Sequence, residues 1–196
     1  MVWEGTPVSR RTWKIKRDAF AIAVVSGSLL GFASAATADE VDVEMREINA
    51  RGVWDVVGDV KATDTADGVV LKIGLADLPG GAHGFHLHEN GNCGPGSTVS
   101  GVAAGMAAGG HYDPEKTGRH MGPAARGHLG DLPIIFIQTD EDGGLPYDGV
   151  LVAPYLKVSN MRGRSLVIHK DGHNFADIPK PNGGGGDRLA CGVVPR

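Results

Sequence analysis

From residue 41 onward the chain alternates apolar and polar positions in short runs, the period of half-buried β-strands. Eight such runs stand out: Val41–Ile48, Val53–Lys61, Gly68–Leu75, His83–His88, Leu132–Thr139, Val150–Val152, Ser165–His169 and Leu189–Val194. Turn-forming residues separate them, among them Leu78-Pro79-Gly80-Gly81, Asp140-Glu141-Asp142-Gly143-Gly144 and Gly183 to Gly186. No helical period of useful length appears. Short strands at this spacing predict an all-β fold, an antiparallel sandwich or barrel. Residues 89–131 and 170–187 do not fit strands; they are rich in Gly and nearly free of large apolar side chains. Long ordered loops in a compact domain are usually functional, and a metal or disulfide can hold them where a core cannot.

The first 38 residues follow a different pattern. Arg10, Arg11, Lys14, Lys16 and Arg17 precede an apolar run from Ala19 to Phe32, which ends in Ala33-Ser34-Ala35-Ala36-Thr37-Ala38. That order predicts an export signal over 1–38, cleaved after Ala38 or alternatively Ala35, with the functional domain over 39–196. A buried N-terminal helix is the alternative, although the run has no cap and no amphipathic face. Arg10-Arg11 also fits a twin-arginine leader, which leaves the export route open. The predicted location is the periplasm.

Charge narrows the partners. Of the chain's 19 Lys/Arg and 23 Asp/Glu, five and two lie in 1–38, leaving 14 and 21 and a net charge of −7. Such a surface argues against nucleic-acid binding, and no later segment is apolar enough for stable membrane association. The only cysteines are Cys93 and Cys191. In an exported chain an even pair is most simply a disulfide, the alternative being two unrelated buried thiols.

The histidines carry the chemistry. Eight occur, at 83, 86, 88, 111, 120, 128, 169 and 173, none of them in residues 1–38 or in the 44 residues that follow. His86-Leu87-His88 on a strand points both imidazoles to one side, as two ligands of one metal require. His111, His120, His128 and Asp131 punctuate the long loop. Neutral imidazoles with one carboxylate suit tetrahedral zinc, and imidazole-rich tetragonal sets suit Cu(II).

Several strings together resemble one family. They are His83-Gly84-Phe85-His86-Leu87-His88-Glu89, Gly109-Gly110-His111, Gly118-Arg119-His120, Gly127-His128-Leu129-Gly130-Asp131-Leu132-Pro133, Val167-Ile168-His169, and Gly183 to Val193. In this order they resemble the copper/zinc superoxide dismutases in their bacterial exported form. The resemblance implies an eight-stranded antiparallel Greek-key β-sandwich with two long functional loops. It implies copper on His86, His88, His111 and His169, and zinc on His111, His120, His128 and Asp131, with His111 shared. It further implies an intrachain Cys93–Cys191 disulfide, Arg188 as the residue that draws superoxide, and His83 as a supporting residue rather than a ligand. The implied reaction converts superoxide to dioxygen and hydrogen peroxide. Copper supplies the redox change that zinc cannot, and His111 takes up and returns a proton. Relatives of this kind are monomers or homodimers, and the sequence does not choose between them.

Two departures matter. Four residues after the last implied copper ligand the family places an aspartate that accepts hydrogen bonds from one ligand of each metal; here the residue is His173. A neutral imidazole cannot accept from both. The resemblance therefore implies a weakened outer link, or its takeover by Asp171 or Asp177, unless His173 simply faces solvent. Residues 93–110 also lack any charge, where relatives often carry lysines. Local attraction is then left chiefly to Arg188, with Lys116, Arg119 and Lys170 as auxiliaries or as ordinary solvated charges. A non-catalytic copper/zinc carrier on the same fold is the rival reading, although such chains typically lose ligands or the arginine. A copper-only relative would lack His120, His128 and Asp131.

Overall fold

Where side chains alternate in polarity, a strand can bury one face and wet the other, and the sheet follows. In β1 (Glu40–Asn49), Val41, Val43 and Met45 are buried while Asp42 and Glu44 are exposed. β2 (Gly52–Thr65) and β3 (Gly68–Leu75) continue the meander, with Val69, Leu71, Ile73 and Leu75 inward. The remaining strands are β4 (Gly81–His83), β5 (Phe85–His88), β6 (Gly96–Thr98), β7 (Gly101–Ala103) and β8 (Ile135–Ile137). They are followed by β9 (Thr139–Asp140), β10 (Gly143–Gly144), β11 (Tyr147–Ala153), β12 (Ser165–His169) and β13 (Arg188–Val193). One short helix, α1 (Val158–Met161), precedes β12. This computed structural model describes residues 38–141 and 143–196. The export signal expected over 1–38 lies outside the described residues except for Ala38.

Seven strands form one antiparallel sheet in the order β11-β3-β2-β1-β13-β12-β5. Within it β13 returns to lie beside β1, the Greek-key order. Val43, Leu71, Phe85 and Leu166, spread from the centre of the sheet towards both ends, share one core with Leu132 and Ile135, so the sheet curls around it. The fold class is therefore the all-β, antiparallel one, although its strands are more fragmented than the eight expected. Gly84 divides His83–His88 into β4 and β5, and β4 pairs with β8 instead of joining the large sheet. Leu132–Thr139 contracts to Ile135–Ile137, since Pro133 has no N–H to give a ladder. The long loop holds a hairpin, β6–β7, that alternation did not announce.

The strand period places the site. Phe85 and Leu87 of β5, and Leu166 and Ile168 of β12, point into the main core. By alternation His86, His88, Val167 and His169 take the opposite face, and Val167 pairs with His86 across the ladder. Val167 there belongs to a smaller core with Ile48, Ala108, Cys93 and Cys191. Single bridges then fasten the long loop to β5, joining His88 to His111 and His86 to Asp131.

Candidate metal centre

Six histidines and one aspartate converge on that face. His86, His88, His111, His120, His128, Asp131 and His169 are all buried, none more than 8% exposed. Ligand atoms of His86, His88, His111 and His169 lie within 4.8 Å of one another, and so do those of His86, His111, His120 and Asp131. The first set matches the copper group expected from the sequence. The second differs from the zinc group by one member: His86 stands inside it and His128 outside. The reason is that the His86 and His111 rings stack with centroids 3.8 Å apart, so His86 is close to both sets. His128 reaches the same carboxylate from the side, its Nδ1 3.3 Å from Asp131 Oδ1.

Backbone and side-chain partners fix which nitrogen of each ring is left to coordinate. His88 Nδ1–H donates to the Gly109 carbonyl at 2.9 Å, and His169 Nδ1–H to that of Gly186 at 3.1 Å. Their Nε2 lone pairs therefore face each other, 3.3 Å apart. His86 uses Nε2 towards His173 and leaves Nδ1 buried without a partner among the described residues. Three lone pairs turned towards one point, away from water, suit a soft or borderline cation and little else.

Asp131 organises the second half. Its Oδ1 lies 3.0 Å from His111 Nδ1, 2.8 Å from His120 Nδ1 and 3.3 Å from His128 Nδ1. The His120 contact is short but not aligned as a hydrogen bond, and Nδ1 is left unsatisfied. Oδ2 accepts from the Met121 and Gly122 N–H groups, 3.1 and 3.4 Å away. Three imidazole nitrogens and one carboxylate oxygen facing inward form the donor set of a zinc site. Both donor sets thus fit the metals they would hold.

Burial sets the protonation. It lowers the pKa values of His86 and His88 well below the usual imidazole value, lowers that of His111, and brings His169 to about 3 and His173 to about 4. Burial alone would raise the Asp131 carboxyl, yet the imidazoles of His111, His120 and His128 hold it well below the carboxylate range. Hydrogen bonding to Asp131 raises His128 against the opposing effect of its burial. Neutral rings and an ionised carboxylate are the forms that bind metal.

A cavity of about 720 Å³ opens over this centre, lined by His111, His169, Arg188, Lys170 and Asp187 among others. Arg188 is half-buried, and its guanidinium donates to the carbonyls of Gly105 and, at 2.7 Å, Gly109. Among the described residues no carboxylate forms an ion pair with it, although Asp187 lines the same cavity. Of the auxiliary cations, Lys170 lines the cavity and Lys116 and Arg119 do not.

His83 is buried between the carbonyls of His169 and Pro79, 2.8 Å from each. Cys93 and Cys191 are joined by a disulfide with Cα atoms 5.7 Å apart. His173 is 7% exposed, which overturns the alternative that it faces solvent. Asp177 does not take over the outer link; it accepts from the backbone N–H groups of His120 at 3.1 Å and Asn182 at 3.2 Å. Asp171 engages through its backbone, to Gly84 and Gly185. The acceptors Gly109 and Gly186, and the backbone role of Asp177, had no signal beyond the glycine-rich strings around them.

The sequence pattern described as copper/zinc superoxide dismutase (SODC) matches residues 56–194. Superoxide dismutase (Cu-Zn) of Escherichia coli strain K12 is 41% identical over 176 residues, 89% of this chain and 98% of the relative. The solved Cu/Zn superoxide dismutase from Brucella abortus superposes with a TM-score of 0.73 at 41% identity, covering 79% of this chain and 99% of the other. The monomeric copper, zinc superoxide dismutase from Salmonella enterica gives 0.66 at 42% identity, covering 80% and 99%. The class is thus a Greek-key β protein with paired metal sites, and the chain belongs to the copper/zinc superoxide dismutase family.

Proposed function

We propose that this chain, a copper- and zinc-dependent superoxide dismutase by family, holds copper on His86, His88, His111 and His169. Zinc falls to His111, His120, His128 and Asp131, and Arg188 draws superoxide into the cavity above. The observation that carries the division is the set of free imidazole nitrogens, His86 Nδ1, His88 Nε2 and His169 Nε2, which the partners of each ring leave pointing together. Bound copper supplies a reversible one-electron change, and zinc, which has none, supplies fixed charge and geometry.

The chain's own residues do the rest. Gly105 and Gly109 hold the guanidinium of Arg188 at the cavity wall, where partial desolvation strengthens its pull on a small anion. His111 presents a ring to the same cavity, with Nδ1 tied to Asp131 Oδ1 at 3.0 Å. Its Nε2 is thereby the nitrogen free to receive a proton and give it up. The net reaction consumes two superoxide anions and two protons and yields dioxygen and hydrogen peroxide.

Location and assembly belong to the same reading. The basic, apolar and Ala-rich order of residues 1–38 supports export and cleavage after Ala38, leaving a domain over 39–196. The Cys93–Cys191 bond suits an oxidising compartment and, with the export order of residues 1–38, supports the periplasm, where the enzyme would protect the cell envelope. Among the described residues no helix is long and apolar enough to cross a membrane. The Salmonella enterica protein, named as monomeric, makes a monomer the simpler assembly. Purified protein loaded with copper and zinc should consume superoxide rapidly, lose that activity on chelation and regain it with copper. Ready copper exchange with slow consumption would instead mark a carrier.

A further inference from the structure

His173 is a buried polar group that the proposed reaction does not use. Its Nδ1 lies 2.7 Å from His86 Nε2. Its ring also lies beside His120, with centroids 4.9 Å apart and planes 59° apart. It therefore touches one ring from each metal group, from behind. The two contacts differ. Towards His86 there is a hydrogen bond; on the other side both His173 Nε2 and His120 Nε2 are buried and have no partner among the described residues.

Counting hydrogens explains the asymmetry. His86 offers Nδ1 to the metal, so its Nε2 carries the hydrogen and donates to His173 Nδ1. A neutral imidazole has one acceptor and one donor, so His173 then carries its own hydrogen on Nε2. His120 turns Nδ1 to Asp131, so its hydrogen is on Nε2 as well. Two N–H groups on these adjoining rings, 4.9 Å apart between centroids, cannot satisfy each other. Gly183 packs against the His120 side: a Cβ there would stand 2.7 Å from His120 Nε2. Asp177, the carboxylate bound to His120, is spent on its backbone N–H.

We infer that His173 is a positioning residue for the copper-side ligand His86 alone, leaving the zinc-side ligand His120 without an outer anchor, so the two metal sites are uncoupled from behind. The inference rests on the ligand division above. An outer partner of a metal-binding imidazole is typically worth about 10–100-fold in metal affinity. The zinc half of this chain lacks that contribution and the copper half has it.

The test is competitive titration of copper and zinc into the protein and three variants, against chelators of known strength. His173→Asp supplies a carboxylate able to accept from both rings, and should tighten zinc by about 10–100-fold with copper changed no more than a few-fold. His173→Ala should weaken copper by a similar factor and leave zinc alone. His173→Asn keeps an acceptor for His86 and again offers a donor to His120, so it should retain both parent affinities. Equal zinc affinity in the parent and His173→Asp, or equal weakening of both metals in His173→Ala, overturns the inference. A measurement free of substitutions uses histidine nitrogen resonances of the Cu(I), zinc-loaded parent. Scalar coupling should connect His86 Nε2 with His173 Nδ1, and coupling between His120 and His173 overturns the inference. A parent that binds fewer than two metals per chain overturns the ligand division itself and the inference with it. Two bound metals with equal zinc affinities overturn the inference alone.

Discussion

At the residue scale, most of the centre is legible because metal ligands announce themselves by type and spacing. His86-Leu87-His88 needs only strand periodicity to put two imidazoles on one face, and the structure confirms that face by sending Leu87 into the core. What the sequence hides is the support. Asp177 reaches a backbone N–H 57 residues earlier, and no spacing rule connects a carboxylate to an amide that distant. His173 was conspicuous, but its one-sided bond depends on ring orientations visible only in three dimensions. Arg188→Ala should lower the second-order rate with superoxide by about 10-fold or more and flatten its dependence on ionic strength, since an unpaired cavity cation steers the anion. Rates across a salt series check it. Gly183→Ala should weaken zinc by roughly 10-fold, because φ is +72° there and a Cβ would press on Asn174 O at 2.4 Å and on His120. Zinc titration reads the loss.

At the scale of elements, alternation found the long strands, whose one face is buried along its length. It failed where local hydrogen bonds rather than burial make the strand. The β6–β7 hairpin is held at its turn by Thr98 Oγ1, which donates to Gly101 O at 2.8 Å, and its residues are mostly exposed. Its loop is anchored further on, where Gly110 N–H donates to Glu89 Oε2 at 3.1 Å and the disulfide ties Cys93 to β13. The bond closes 98 residues and sits against Ile48, Ala108 and Val167. Replacing Cys93 and Cys191 together by Ser should destabilise the protein by about 2–5 kcal/mol, read from urea unfolding of the metal-free form.

At the scale of the molecule, the curled sheet supplies a rigid wall from β5 and β12, and the two loops supply the remaining donors. Loops poor in large apolar side chains depend on those donors being satisfied together, so metal binding and loop order are linked. Removing the metals should lower the melting temperature, and restoring zinc alone should recover part of it. A ligand at about 1,000 times its dissociation constant stabilises by about 4 kcal/mol. Calorimetry of the metal-free, zinc-loaded and fully loaded protein checks the order.

The proposed centre shares one imidazole, that of His111, between two differently built sites. Crystals of the loaded protein, with anomalous scattering recorded at the copper and zinc edges, test it most directly. Copper should appear among His86, His88, His111 and His169, and zinc among His111, His120, His128 and Asp131, with His111 touching both. Zinc held by His86 in place of His128, or His111 bound to one metal with no approach to the other, would contradict the account.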